Sequence, residues 1–205
     1  MAGRRPRVTV NLSRLIDART RVRHPPEAGL DAWQAELRDL RDREAIRDLA
    51  LLYTRAVDDH DIDAVVGMYT EDGVFERRGV SAAGHAAVRA AYAEAMGLYR
   101  LTLHTLDAHV VELTPGRTAV GWAAGHAELV TRKTAVMAAY RYDDAYRCAG
   151  DRWLFAHRSI TFMYAVPMEE MSRGLTAPDR MRWPGAPPGR ADYPESLPTW
   201  TTYRD

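Results

Sequence analysis

The side chains that could carry chemistry in this sequence are Tyr53, Asp58, His104, His126 and Arg158. His104 stands in Leu103-His104-Thr105-Leu106, and His126 in an alternating row Trp122, Ala124, His126, Glu128. Histidine is the side chain whose ordinary titration lies near neutral pH, so two on central strands could serve one cavity as acid and base. Arg158 alternates with Leu154, Ala156, Ile160, Phe162 and Tyr164. If that row faces the interior, the guanidinium is a buried cation and needs an anion. A substrate carboxylate or a developing oxyanion would serve; a bulge that lets Arg158 reach water is the alternative. Tyr53 and Asp58 lie five residues apart on one helical segment, about 140° around an ideal helix, so spacing alone does not put them on one face. His60, His85 and His109 fall near turns or strand ends and read as structural or exposed.

The elements that must position these groups follow from periodicity. Ile46, Leu49, Ala50, Tyr53, Ala56 and Val57 recur at helical spacing within a long helix over 31–59, which Asp31 could cap. The charges of Glu36, Arg38, Asp39, Arg41, Asp42 and Arg43 mark its first half as solvated. Asp61 predicts the start of a short helix over 63–69, and Gly84 opens a third, to Leu98, with Val88, Tyr92 and Met96 on one face. Gly73 to Glu76 reads as a short strand. From Leu101 the period changes to two, giving long strands over 101–113, 117–130, 134–148 and 152–166 joined by tight turns. Helices first and an antiparallel meander after predict an α+β domain.

An arginine-rich arm is expected over 1–30, the α+β domain over 31–166, and a Pro- and aromatic-rich tail over 167–205 that docks on its own sheet, a pocket mouth or a neighbouring subunit. The arm reads as a partly disordered tail or as a strap across a second subunit through Val8, Val10, Leu12, Leu15 and Ile16. The chain carries 205 residues, zero formal net charge and one cysteine. Nucleic-acid binding is disfavoured by the charge balance, and a disulfide framework by the single Cys148. No apolar run approaches the roughly 20 residues that span a bilayer, and no signal core stands at the N-terminus, so a cytoplasmic location is expected. Lys133, the only lysine, sits in a turn-like Thr131-Arg132-Lys133-Thr134, which disfavours Schiff-base chemistry. No His-Glu-x-x-His, cysteine pair or Gly-rich phosphate loop is present, so neither metal nor organic cofactor is expected, and the lack of a Gly-x-Ser-x-Gly elbow disfavours serine-hydrolase chemistry.

The pattern Ile46-Arg47-Asp48-Leu49…Tyr53…Asp58, then Met68-Tyr69-Thr70-Glu71-Asp72-Gly73-Val74-Phe75, resembles the SnoaL-like branch of the nuclear transport factor two superfamily. The helix opened by Gly84, His104 with Val111-Glu112-Leu113 downstream, and Trp153-Leu154-Phe155-Ala156-His157-Arg158 extend the resemblance over about residues 35–166. It implies a cone: three N-terminal helices packed on a strongly bent, mainly antiparallel sheet that encloses one cavity. The residue pattern is similar to scytalone dehydratase, bile-acid 7α-dehydratase and hexachlorocyclohexane dehydrochlorinase. Those enzymes use an Asp–His pair as general base, and Asp58 and His104 match it. Tyr53 matches a tyrosine of the bile-acid enzyme, and Arg158 an arginine that assists the leaving group. His126, Trp122, Tyr140 and Phe162 form the expected substrate-contacting set.

A carboxylate bonded to imidazole fixes its tautomer and stabilises the imidazolium, which favours proton abstraction beside a carbonyl. The resemblance therefore implies a cofactor-independent lyase of dehydratase type acting on a hydroxylated, largely apolar small metabolite. An isomerase or cyclase of polyketide or steroid-like metabolites, or a non-catalytic ligand-binding module, would use the same cavity. A homodimer or homotrimer is implied by resemblance alone.

Overall fold

The computed structural model describes residues 11–20 and 29–202. The remaining parts of the expected arm and the last three residues lie outside the described residues, Val8 and Val10 among them. Within the arm, α1 (Leu12–Thr20) buries Leu15, and Arg14 bonds Glu112 at 2.7 Å.

The long helix is α2 (Leu30–Asp58). Its cap is Gly29, with no side-chain cap bond, and Asp31 sits in the first turn instead. Residues 30–41 are exposed throughout, while Ile46, Leu49, Ala50, Tyr53, Ala56 and Val57 are buried. Asp61 caps α3 (Ile62–Gly67), accepting the Ala64 backbone N–H at 2.9 Å. Strands β1 (Tyr69–Arg77) and β2 (Val80–Ala83) precede α4 (His85–Leu98), whose buried stripe is Val88, Tyr92 and Met96. Strand β1 is longer than expected, and β2, a short exposed hairpin arm, carries too little apolar alternation to be read from sequence.

The meander is β3 (Leu101–Thr114), β4 (Thr118–Val130), β5 (Ala135–Ala149) and β6 (Arg152–Pro167). The six-stranded sheet runs β2-β1-β6-β5-β4-β3; only β1 and β6 pair in parallel. The sheet is curved and does not close. It wraps α2, α3 and α4, which makes the α+β cone.

The interior face is built on a size contrast. On β4 it shows Ala119, Gly121, Ala123, Gly125 and Ala127; opposite on β5 stand Tyr146, Asp144, Tyr142, Tyr140 and Ala138. The small row leaves room for large side chains to lean across it. A Cβ on Gly121 would come within 2.9 Å of the Tyr146 ring, and one on Gly125 within 2.6 Å of the Tyr140 hydroxyl.

Three bulges set which residues face in. Asp107 is extra on β3, between Leu106 and Ala108. Ala156 and Met163 are extra on β6, where pairing jumps from Tyr146–Phe155 to Ala145–His157 and from Tyr140–Phe162 to Ala139–Tyr164. Phe155 and Arg158 therefore share the interior face although they are three residues apart.

The first part of β6 pairs with β1, which leaves its far end as an edge. The C-terminal segment covers that edge. Ala165 N–H donates to Arg180 O (3.0 Å), Arg182 N–H to Ala165 O (2.7 Å), and Phe162 N–H to the Asp192 carboxylate (2.8 Å). Two short helices, α5 (Met171–Thr176) and α6 (Pro198–Thr201), punctuate it, and Met181 and Tyr193 are buried.

Candidate active site

Asp58 is the last residue of α2 and hangs over β3, an edge strand with an unpaired row of backbone groups. One carboxylate oxygen accepts the His104 backbone N–H at 2.8 Å; the other meets His104 Nδ1 at 2.6 Å. A carboxylate only accepts, so Nδ1 carries the proton and Nε2 keeps the lone pair. His104 therefore presents a base nitrogen. The Asp58 and His104 side chains are 16% and 12% exposed, so the pair is reachable from outside. The Tyr140 ring lies beside His104, centroids 5.9 Å apart, with its hydroxyl donating to Thr105 O at 3.2 Å.

Tyr53 points elsewhere, as its angular offset from Asp58 allows. Its hydroxyl is 2.6 Å from that of Tyr92, which is 3.0 Å from that of Tyr69. Burial pushes the Tyr69, Tyr92, Tyr142 and Tyr146 phenols well above their ordinary range, so they stay protonated.

Arg158 is 1% exposed, and the anion it requires is Asp144, one strand away, itself fully buried. Nε and Nη2 donate to the two carboxylate oxygens at 2.9 and 2.8 Å. Burial opposes the charge, but Asp144 more than offsets it and holds Arg158 above the ordinary arginine value. The guanidinium carbon lies 3.9 to 4.2 Å from the ring centres of Phe155, Tyr142 and Tyr53. Nη1 is buried with no partner among the described residues.

Asp144 was not singled out by sequence. An Asp in a tyrosine-rich strand carries no signal until the register sets it opposite Arg158. His109, read as structural or exposed, instead faces inward because the Asp107 bulge shifts the phase of β3. Its ring nitrogen Nε2 is 3.0 Å from the Tyr146 hydroxyl, which donates to Asp144 at 2.8 Å.

The structure brings Asp58, His104 and Tyr140 together, and separately Tyr53, Tyr142, Asp144 and Arg158. Rings join the two groups: Tyr140 to Tyr142 at 5.0 Å and Tyr142 to Tyr53 at 5.9 Å. Trp122 and His126 are not in either group. The alternation of β4 puts its small residues inward, so these two face the opposite side of the sheet. There His126 pairs with Asp107 at 2.5 Å and is half exposed, while Trp122 lies 5.8 Å from Arg141, which also stacks on Tyr193. Phe162 is buried against Trp183 of the C-terminal segment, centroids 5.2 Å apart.

Between the Asp58–His104 pair and Arg158 stand the rings of Tyr140, Tyr142 and Tyr53, all buried. Two openings flank this interior. A cleft of about 430 Å³ runs past Tyr69, Thr70, Glu71, His85, Arg147 and Leu154. A groove of about 170 Å³ lies between α2 and β3, walled by Arg47, Leu51, Leu106, Asp107, Ala108 and His109. Among the described residues, no group of three or more His, Cys, Asp or Glu side chains is placed to hold a metal ion. Nor is any helix there long and apolar enough to cross a membrane.

The fold has counterparts among known structures. A protein from Novosphingobium aromaticivorans, named provisionally as an aromatic ring hydroxylase, is 29% identical with a TM-score of 0.59, over 64% of this chain and 96% of that one. A protein from the same organism, named provisionally as scytalone dehydratase, is 18% identical with a TM-score of 0.58, over 65% and 89%. The hexachlorocyclohexane dehydrochlorinase LinA-type3 from Novosphingobium barchaimii is 16% identical with a TM-score of 0.61, over 65% and 94%. The last two likenesses concern the fold. No curated protein matches the chain. The model of the SnoaL-like domain matches residues 38–159, more than half of the sequence and the whole stretch from the exposed half of α2 to Arg158 and Ser159. The chain therefore belongs to the SnoaL-like family, with the cone fold of the nuclear transport factor two superfamily.

Proposed function

We propose that this protein is a cofactor-independent lyase of dehydratase type, with His104 as general base and Asp58 as its orienting partner. The observation that carries the reading is the pair of hydrogen bonds that the Asp58 carboxylate accepts from His104, one from Nδ1–H and one from the backbone N–H. It locks the imidazole with Nε2 as the free base nitrogen. The names of structural neighbours, scytalone dehydratase and hexachlorocyclohexane dehydrochlorinase, fit elimination chemistry on this fold.

His104 Nε2 removes a proton from a carbon next to a carbonyl, and the electron pair moves to expel a hydroxide from the neighbouring carbon. The imidazolium returns its proton to the departing hydroxide, so one water leaves and the base is regenerated. Proton transfer of this kind contributes roughly 10²–10⁴-fold. In this reading Arg158, committed to Asp144 and sealed behind the rings of Phe155, Tyr142 and Tyr53, holds the interior together and is not a substrate contact.

The test uses a panel of cyclic β-hydroxy ketones, beginning with 3-hydroxy-1-tetralone, which becomes 1-naphthol on losing water. The wild-type protein should form the product lighter by one water, and His104→Ala should lose that turnover. A product of unchanged mass would replace this reading by isomerisation or cyclisation. Full turnover by His104→Ala would remove His104 as the base.

A further inference from the structure

Arg158, Asp144, Tyr146 and His109 form one buried hydrogen-bonded chain, and its direction can be worked out. The Tyr146 hydroxyl donates its single proton to Asp144 Oδ2. Its oxygen can therefore only accept from His109, so Nε2 of His109 is the protonated nitrogen. Burial lowers the His109 pKa to about 4, with Asp144 raising it and Arg158 and Arg47 lowering it. The ring is neutral at physiological pH. Nδ1 then holds a lone pair, and it is buried with no partner among the described residues. Buried polar atoms without a partner are uncommon and costly.

His109 is one of the residues that line the groove between α2 and β3, with Nδ1 itself shielded from solvent. Leu51 and Arg47 on the α2 side of the groove are 52% and 43% exposed, so both can move aside for a ligand. Along β3 the groove is lined by the apolar Leu106 and Ala108 and by Asp107, whose carboxylate is paired with His126. Leu51 precedes Asp58 by two helical turns, which places the groove about 10 Å from the Asp58–His104 pair along α2.

We propose that this groove is a binding subsite for a hydroxylated ring, with His109 Nδ1 accepting a hydrogen bond from the ring hydroxyl. It rests on the dehydratase reading in one respect: the ring belongs to the far end of the substrate whose near end His104 deprotonates. The substrate class is thereby narrowed to elongated, ring-containing alcohols or phenols with a hydroxyl roughly 10 Å from the reacting carbon.

The groove is tested by binding, so that its outcome is separate from turnover. The probes are phenol and anisole, which differ in the hydroxyl proton. Nitrogen-15 NMR of the imidazoles should show His109 as the Nε2–H tautomer, and phenol should shift its Nδ1 resonance while anisole does not. Phenol should bind about tenfold tighter than anisole, as expected for one hydrogen bond of about 1.4 kcal/mol. His109→Phe keeps a ring of similar size, carries no acceptor and leaves Tyr146 bonded to Asp144, and should bind the two probes equally. An Nδ1–H tautomer, no response of His109 to phenol, or a His109→Phe protein that keeps the preference would each overturn the proposal. His104→Ala should bind phenol as the wild type does; its turnover reports on the base alone.

Discussion

At the residue scale, the pair Asp58–His104 and the pair Arg158–Asp144 look alike on paper and differ in kind. The first is partly exposed and leaves a base nitrogen free; the second is sealed, fully bonded on the carboxylate and enclosed by three rings. Asp58→Asn should therefore keep the fold and lower kcat on a β-hydroxy ketone substrate by roughly 10²–10⁴-fold with a small change in KM, because the tautomer lock is lost. Removing one partner of the sealed pair should act on folding: Asp144→Asn strands a buried cation, at a cost of about 3–5 kcal/mol, read by denaturant melts. His109 adds a pH signature. Its pKa is about 4 folded and about 6.5 unfolded. Between these values the unfolded chain binds more protons, so this contribution is whole above about pH 6.5 and is lost as pH falls toward 4. The loss is on the order of 3 kcal/mol. The charged groups around it are Asp144, Arg158 and Arg47. His109→Gln should flatten the stability slope between pH 4 and 6.5 relative to wild type. Asp58, His104 and Arg158 were legible as chemistry-bearing residues; Asp144 and His109 were not, since their meaning depends on register and on a bulge.

At the scale of elements, the helices and the four long strands could be read because each buries one face, so its period survives in the sequence. Bulges leave no such trace. Alternation alone puts Arg158 in phase with Ala156 and Leu154, whereas the structure puts it in phase with Phe155 through the extra Ala156. The inward row of β4 was missed for a related reason. Small residues look uninformative, and the larger Trp122 and His126 drew attention to the opposite face. That small row has its own test. A Cβ on Gly125 would stand 2.1 Å from the Thr105 carbonyl oxygen and 2.6 Å from the Tyr140 hydroxyl. The carbonyl is backbone of the paired strand and cannot step aside without opening the ladder. Gly125→Ala should destabilise by about 3 kcal/mol and displace Tyr140 from beside His104. Thermal melts should fall by roughly 6–12 °C, and Gly29→Ala, where a Cβ meets nothing within 4 Å, is the matched control.

At the scale of the whole molecule, the C-terminal segment answers a problem set by the sheet. Strand β6 is longer than its parallel partner β1, so residues 161–167 would offer bare backbone groups and an apolar flank to solvent. Residues 178–193 cover both. Arg180, Arg182 and Asp192 supply backbone and carboxylate partners to Phe162 and Ala165, Met181 enters the core, and Trp183 covers Phe162. Tyr193 clamps Arg141 from the far side, its ring centre 4.1 Å from the guanidinium. The aromatic residues of an otherwise proline-rich tail were the legible hint that it packs; which surface it packs on depends on the unequal strand lengths. Ending the chain at Ala177 should then expose the β6 edge together with Phe162, which is 6% exposed in the full chain. Unpaired edges beside apolar surface invite pairing with other chains. The truncated protein should scatter light increasingly with concentration, while Tyr193→Ala, which leaves the edge bonds in place, should lower stability by about 3–5 kcal/mol without that association. A truncated chain that stays monomeric and melts with the wild type would show that the segment contributes nothing to the sheet it lies on.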